Sequence, residues 1–442
     1  MVAASLISAL ARSFAAGDQT FEGIHTRASH LLGKRWHWLA SLVLRYVEFR
    51  SGSTRPRHRD VVRFLLQDRG FRRACVTHRD QLSIVSWLAE PARMQPVQAA
   101  REWNLPSLET VGDLAAWFSL DTADLEWFAD LKGLCAKLNH SPLQHYHYRI
   151  LPKRTGGVRL IESPKHNLKA LQRRILSSIL DRVPAHAAVH GFVKGRSIAT
   201  FAAPHAGRQV LLRLDLENFF PAFPAARAQA LFRTLGYPEA VADLLGGLCS
   251  NAMPRSVWRN RPLEIDTVRW HEAQLLYMRP HLPQGAPTSP AITNLTAFRL
   301  DCRLTGLARS AGAVYTRYAD DLAFSGDAEF GRVVDRFAAH AAAIALEEGF
   351  GVNHHKTRIL RRGARQILAG VVVNEKLNLR RRDLEILEAI LTNCLRFGLE
   401  SQNREGLPDF HAHLQGRIGF VEMINPTKAR RLRALLEKVR SE

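Results

Sequence analysis

Cysteine is scarce in this 442-residue chain. There are five, Cys75, Cys135, Cys249, Cys302 and Cys394, and the nearest two, Cys249 and Cys302, are 53 residues apart. No CxxC pair or Cys/His cluster has zinc-finger spacing, so neither a disulfide framework nor a structural zinc site organises the fold. An odd, scattered set of thiols fits a reducing interior. Long apolar runs are missing as well: none approaches the ~18 residues that a spanning helix needs. The first residues, MVAASLISALARSFAAG, lack the basic start of a secretory signal and read as an amphipathic helix. Internal repeats and low-complexity tracts are absent. Acidic residues are in deficit, with 41 Asp+Glu against 62 Lys+Arg and a formal net charge of +21.

What is present narrows the class. A chain that is 46% hydrophobic and 8% aromatic is not wholly disordered. At roughly 100–200 residues per domain it holds about two to four domains. The excess of positive charge points to a polyanion, with nucleic acid first and an acidic membrane surface second.

Residues 1–104 form a first region in which 42–49 and 61–66 are expected to be helical. Arg45, Arg50, Arg55, Arg57, Arg59, Arg63, Arg69, Arg72 and Arg73 are interleaved there. A small helical domain with solvated arginine faces and an RNA-touching domain fit this pattern equally. Residues 105–140 read as a helical lead-in of two short helices. Caps are expected within Ser107–Thr110 and at Leu120-Asp121-Thr122. From about 141 the texture changes. Residues 146–151 and 158–161 alternate like strands around a basic tip at 152–157. A basic amphipathic helix is expected over 165–180. Further strands are expected at 210–214, 314–318, 322–325, 359–360 and 367–373, and a long helix at 330–348. From 379 onward the pattern is helical. Helices and strands mix without a βαβ repeat, so the fold class is α+β.

Three carboxylates carry the chemistry. Asp215 ends the apolar strand in Leu-Leu-Arg-Leu-Asp, and Asp320 and Asp321 stand between two strands. If that hairpin pairs beside the first strand, three like charges gather at one sheet edge, and repulsion demands cations. Oxygen-only ligands suit Mg²⁺, which completes its shell with phosphates and water. Such a set supports two-metal phosphoryl transfer.

These residues resemble a known family. Tyr318-Ala319-Asp320-Asp321 resembles the catalytic box of reverse transcriptases, and Asp215 with Phe219-Phe220 resembles their first metal-binding motif. Leu282-Pro283-Gln284-Gly285-Ala286-Pro287-Thr288-Ser289-Pro290, followed by Asn294, resembles the intervening nucleotide- and template-contacting motif. One four-residue box is weak; three in the family's order are strong. Within the superfamily, Lys153–Arg159, Ser163-Pro164-Lys165 and the block from His190 to Ile198 are similar to bacterial retron reverse transcriptases. Two elements depart from the retron pattern. An Asn-Ala-x-x-His element has Phe201 in place of Asn, and Val-Thr-Gly is replaced by Leu368-Ala369-Gly370.

The resemblance implies a right-hand fingers–palm–thumb polymerase with a helical N-terminal extension. Its parts would be the extension at 1–104, the lead-in at 105–140, fingers and palm at 141–376, and a helical, RNA-binding thumb at 377–442. It implies that Asp215, Asp320 and Asp321 are catalytic and bind two Mg²⁺ ions, with Mn²⁺ as an alternative; Asp215 and Asp320 are the expected direct ligands. Phe220 takes the steric-gate position, Lys153 and Arg159 face the triphosphate, and Gln284 touches the nucleotide or primer end. Lys356 stands near the phosphates, and the adjacent His354 and His355 read as loop residues. Arg196, Arg380, Arg381, Arg382, Arg417, Lys428, Arg430 and Arg431 are expected to bind RNA. The implied partners are a structured non-coding RNA, its branched RNA–DNA product primed from a 2′-hydroxyl, deoxynucleoside triphosphates and an effector protein in antiphage defence. The implied setting is the bacterial cytoplasm, with no membrane partner. A differently primed intron or defence enzyme and a non-catalytic RNA scaffold remain alternatives. Residues 377–442 are too short for a thumb plus maturase and nuclease, and the complete acid set argues against a scaffold.

Overall fold

Apolar residues at helical spacing dominate the first part of the chain, and they fold as that spacing dictates. The computed structural model describes residues 4–50, 57–87, 92–137, 144–153, 157–259, 261–263 and 265–439. It divides into two units, Met1–Pro184 with Phe220–Thr296 and Ala185–Phe219 with Ala297–Glu442.

The first unit opens with helices Ala4–Ala15, Phe21–Leu31, His37–Arg50, His58–Gln67 and Arg69–Thr77. They close over their own core, which includes Leu10, Phe14, Ile24, Leu42, Tyr46 and Val61. The side chains of Thr20 and Asp68 cap the second and fifth by accepting from Gly23 N and Phe71 N. The expected segments 42–49 and 61–66 lie inside the third and fourth helices. The arginines of this region divide by role. Arg45 forks onto Asp68 at 2.7 and 2.9 Å, Arg50 donates to Gln19 O at 3.1 Å, and Arg57 donates to Gln229 at 2.9 Å. Arg59, Arg63, Arg69, Arg72 and Arg73 stay exposed, while Arg55 lies outside the described residues.

The lead-in helices are Val111–Phe118 and Thr122–Ala129, capped by Thr110, with a reciprocal Asp113, and by Asp121. Next, β1 (Tyr146–Pro152) and β2 (Val158–Pro164) form an antiparallel hairpin with Leu151 opposite Arg159. Residues 154–156 of its basic tip lie outside the described residues. Alternation buries Val158, Leu160 and Glu162 and exposes Arg159. Helix His166–Ser178 follows, two residues shorter at its C-terminus than expected. Helices Ala225–Thr234, Glu239–Leu248, Thr267–Tyr277 and Ser289–Thr296 complete the unit.

The second unit is built on a four-stranded antiparallel sheet. Its strands are β3 (Val210–Asp215), β4 (Val314–Tyr318), β5 (Asp321–Gly326) and β6 (Arg358–Arg361), in the order β4-β5-β3-β6. Helix Ala328–Glu347 lies against β3 and β5, and helix Phe298–Ser310 against β4. One expectation fails here. The single strand expected over 367–373 is broken into β7 (Ile367–Leu368) and β8 (Val371–Val372), which pair as a hairpin. Ala369 (φ 44°) and Gly370 (φ 89°) make its turn; an apolar run hides such a turn when a non-glycine residue takes half of it. Helices Arg381–Phe397, Phe410–Ile424 and Pro426–Glu437 bury Leu384, Leu391, Leu414, Ile418 and Leu432 in one core. Among the described residues no helix is long and apolar enough to cross a membrane.

Candidate active site

Strand β3 is apolar on both faces except at Arg213 and Asp215, so it can run through the middle of a sheet and deliver an acid at its end. Strand β5 pairs with it in a register that sets Asp215 opposite Asp321. Tyr318 also pairs with Asp321, which leaves Ala319 and Asp320 as the two-residue turn between β4 and β5. Ala319 takes the left-handed φ of 55° that this turn requires. Backbone bonds fix the edge: Leu216 N donates to Asp320 O at 2.9 Å, and Asn353 N donates to Asp215 O at 2.8 Å.

The side chains are organised by charge. Lys356 Nζ lies 2.9 and 3.0 Å from the two oxygens of Asp215, whose residue is 6% exposed. Arg213 Nη2 donates to Asp321 Oδ1 at 2.8 Å. Asp320 stands differently. Burial, then the charges of Asp321 and Asp215, push its pKa up to about 6. The edge thus holds two compensated carboxylates and one that resists ionisation.

The ground beneath this edge is polar and paired. Arg317 donates to Asp301 through Nε at 2.8 Å and Nη2 at 2.7 Å, and Tyr315 OH donates to the same acid at 2.8 Å. Both charged side chains are wholly buried. Burial opposes the guanidinium, yet Asp301 overrides it and raises the Arg317 pKa. His205, also fully buried, is 2.6 Å from Ser325 Oγ and 2.7 Å from Thr316 Oγ1, and Thr316 donates to Phe201 O. One proton arrangement satisfies all of these groups. Ser325 donates to Nδ1, and Nε2 donates to Thr316. The His205 ring therefore ties β4 to β5 just below the turn.

Sequence comparison decides what the edge belongs to. The profile of the reverse transcriptase (RNA-dependent DNA polymerase) family matches residues 151–387. The chain is 42% identical over 339 residues to the retron Mx65 reverse transcriptase of Myxococcus xanthus, covering 76% of this chain and 73% of that one. It is 36% identical over 358 residues to the retron Mx162 reverse transcriptase of the same organism, covering 78% and 70%. It is 31% identical over 299 residues to the retron Ec86 reverse transcriptase of Escherichia coli, covering 66% and 82%. The chain belongs to the retron reverse transcriptases. It is an RNA-directed DNA polymerase, and its domain implies the fingers–palm–thumb fold.

In this reverse transcriptase the expected site residues fall in two groups. Asp215, Asp320, Asp321 and Lys356 converge in the second unit. Exposed His354 and His355 sit in the turn before Lys356. Phe220, Lys153, Arg159 and Gln284 belong to the first unit. Phe220 is half-buried, whereas Phe219 in the second unit is buried with its ring stacked 6.1 Å from Phe350. Gln284 is anchored through its backbone, its carbonyl accepting from Glu162 N at 2.9 Å. Gly285 follows at φ 135°, where a Cβ would stand 2.7 Å from Glu162 O, so only glycine fits. Among the expected RNA contacts, Arg380, Arg381, Arg382, Lys428, Arg430 and Arg431 are exposed, and Arg417 is half-buried. Arg381 pairs with Glu385 at 2.7 Å. Arg196 turns inward, with Nη1 donating to Ala187 O at 2.8 Å and to the carbonyls of His186 and Val189.

Several residues escaped the sequence reading. Arg213 had a visible signal, a lone cation in an apolar strand two positions before Asp215. The Asp301–Arg317 pair had none. Nor did Glu162, which is fully buried and accepts from His281 Nε2 and Asn251 Nδ2, each at 2.8 Å. Burial works against a charged His281, and the Glu162 carboxylate outweighs it, so the His281 pKa is raised.

Reverse transcriptases as a family use divalent ions, and the acid edge fits such an ion. Its donors are all carboxylate oxygens, and burial, then the charges of Asp321 and Asp215, raise the Asp320 pKa further than Lys356 lowers it. Among the described residues no three His, Cys, Asp or Glu side chains are gathered closely enough to hold an ion by themselves. An open site suits Mg²⁺, which binds through one or two carboxylates and takes its other ligands from phosphates and water.

Proposed function

We propose that this enzyme is a retron polymerase in the full sense: it binds a structured non-coding RNA and copies part of it into single-stranded DNA. Synthesis starts from an internal 2′-hydroxyl, so the product is a branched RNA–DNA molecule. The enzyme acts in the bacterial cytoplasm with an effector protein in defence against phage. Identity of 31–42% to three retron enzymes over 66–78% of the chain supports this reading. The observation that carries the chemistry is the register of Asp215 opposite Asp321, with Asp320 in the adjoining turn.

Asp215, Asp320 and Asp321 are the catalytic acids and hold two Mg²⁺ ions, or Mn²⁺ in their place. When bound, the ions supply charge neutralisation for the attacking hydroxyl and the departing pyrophosphate. The chain's own groups do the rest. Lys356, already hydrogen-bonded at Asp215, carries a proton to the leaving pyrophosphate. Arg213 holds Asp321 in place. Lys153 and Arg159 on the β1–β2 hairpin bind the triphosphate, and Gln284 contacts the nucleotide or primer end from its glycine-dependent turn. Phe220 excludes a ribose 2′-hydroxyl. The helical thumb at 377–442 grips the RNA duplex through Arg380, Arg381, Arg382, Arg417, Lys428, Arg430 and Arg431, with Arg196 supporting a contact loop. Residues 105–140 are the lead-in to the fingers and palm of 141–376, and residues 1–104 are a helical extension.

The test is to sequence the nucleic acid that copurifies with the enzyme, before and after debranching. Wild type yields DNA joined to one RNA species, with ends released by debranching, and Asp320→Asn yields the RNA alone. Linear DNA indifferent to debranching rejects the 2′-primed reading. DNA from Asp320→Asn rejects the acid assignment. Phe220→Ala is expected to raise ribonucleotide incorporation in primer extension; an unchanged ratio assigns the gate to another residue.

A further inference from the structure

Strand β2 and the segment that carries Gln284 are joined at two points. At the first, Glu162 N donates to Gln284 O at 2.9 Å, and Gly285 comes so close that a Cβ on it would stand 2.7 Å from Glu162 O. At the second, the side chain of the same glutamate reaches His281, three residues before Gln284, with Oε2 2.8 Å from Nε2. Leu282 and Pro283, both buried, lie between the two anchors. Proline has a fixed φ, and the Pro283 carbonyl accepts from Ser289 Oγ at 2.7 Å. Such a segment bends little, so a shift of His281 becomes a shift of Gln284.

The contact at His281 is shut away from water, with the histidine 1% exposed and the glutamate 0%. Its hydrogens can be counted. His281 Nδ1 lies 2.7 Å from Arg279 O, and a carbonyl oxygen only accepts, so Nδ1 carries a hydrogen. A second hydrogen must lie between Nε2 and Glu162 Oε2, on one atom or the other. The remaining carboxylate oxygen accepts from Asn251 Nδ2 at 2.8 Å, and Asn251 also donates to Tyr148 OH at 3.1 Å. Asn251 and His281 exchange backbone hydrogen bonds, each of 2.9 Å. Tyr277 sets its ring edge-on to the imidazole, with centroids 5.3 Å apart.

A buried ion pair adds little stability over apolar residues of similar volume. What this one adds is direction, because a hydrogen bond is met only over a narrow range of distance and angle. It fixes the segment before Gln284 in one place against the strand that also carries Arg159.

We infer that Glu162 and His281 are positioning residues of this polymerase: their buried, hydrogen-sharing contact sets the turn from which Gln284 acts. The inference rests on the reading that Gln284 contacts the nucleotide or primer end.

A double-mutant cycle on the full-length enzyme tests it. Glu162→Gln keeps the contact, because its amide donates to Nε2 of a neutral His281 while its carbonyl accepts from Asn251. Glu162→Gln with His281→Phe breaks the contact, keeps a ring and strands no charge. Glu162→Leu with His281→Leu breaks it with apolar groups alone. Each is made by itself and together with Gln284→Ala. The readouts are nucleotide KM and kcat for extension of a DNA primer on an RNA template, the Kd of that template–primer, and the thermal midpoint. The broken pairs raise the same constant that Gln284→Ala raises, nucleotide KM or template–primer Kd, by roughly 10- to 100-fold. Their kcat stays within about threefold of wild type. Glu162→Gln stays within about threefold in every constant. Added to Gln284→Ala, the broken pairs cost less than about threefold more, because the residue they position is already gone. Losses that multiply in the combined variants overturn the inference and make the pair structural, whether or not the thermal midpoint falls. A Glu162→Gln enzyme as impaired as the broken pairs overturns it too, as does a loss confined to kcat. Gln284→Ala with every constant unchanged rejects the reading of Gln284 and the inference with it, whereas an impaired Gln284→Ala beside neutral broken pairs counts against the positioning alone.

Discussion

Asp301, wholly buried, and Asp320, partly buried, both stand in the second unit, and the structure treats them in opposite ways. Asp301 accepts three hydrogen bonds, two from Arg317 and one from Tyr315. Three residues along from Arg317, Asp320 faces two more acids, and its pKa is pushed up to about 6. The fold satisfies the helix carboxylate through a residue of β4 and leaves the carboxylate in the turn after that strand among like charges, where the proposed function would put a cation. The general lesson is that paired buried charge organises structure, while uncompensated buried charge marks chemistry.

Substitutions at the two sites should therefore separate activity from stability. Asp320→Asn should lower DNA synthesis by on the order of a thousandfold or more, because it removes a group that acts on the reacting phosphates. RNA binding should persist, and the thermal midpoint should hold or rise, since two like charges lose their neighbour. Wild-type synthesis would break the comparison at its functional end. Arg317→Met should do the reverse. It strands Asp301 without its partner and should destabilise the fold by about 3–5 kcal/mol in urea unfolding. Adding Asp301→Leu should recover much of that loss, because an apolar pair carries no desolvation penalty. An unchanged urea midpoint in Arg317→Met would show that the pair is not structural.

Lys356 lies between the two extremes, joined to Asp215 but with its side chain half exposed to solvent. Lys356→Met should lower kcat roughly a hundredfold through lost proton transfer. Its effect on stability should stay within about 1 kcal/mol, because solvent screens the pair. A parallel fall in stability and rate would make it a structural residue.

The last comparison concerns pH. Burial, with the nearby His190 and Arg208, holds the His205 pKa down at about 3, against 6.5 for a free imidazole. Between those values the unfolded chain binds a proton that the folded chain refuses, so stability rises with pH through this window. The slope from one such histidine is at most about 1.4 kcal/mol per pH unit. His205→Gln should flatten urea stability against pH between about 3 and 6.5. A slope identical to wild type would show that His205 titrates normally in the fold.

How much of this was legible in advance depends on the range of the interaction. Residues 314–318 match β4 at both ends, and 210–214 match β3 to within one residue, because alternation and strand-ending acids are local signals. The caps at Thr110 and Asp121 are local in the same way. The acids, their spacing and the family they resemble could all be read from the chain alone. The partners could not. Nothing near Asp215 announces Lys356, 141 residues away, as its hydrogen-bond donor. Nothing in the arginine-rich N-terminal region tells which cations bind the chain itself and which face water. The broken strand at Ala369 was equally hidden, since its neighbours are apolar on both sides. Sequence by itself determined which residues carry charge, the ends of the acid-bearing strands to within a residue, and the order of the motifs. Tertiary structure alone decided which acid is neutralised, by whom, and which is left uncompensated, because charge interactions depend on distance and burial, and both are properties of the folded chain.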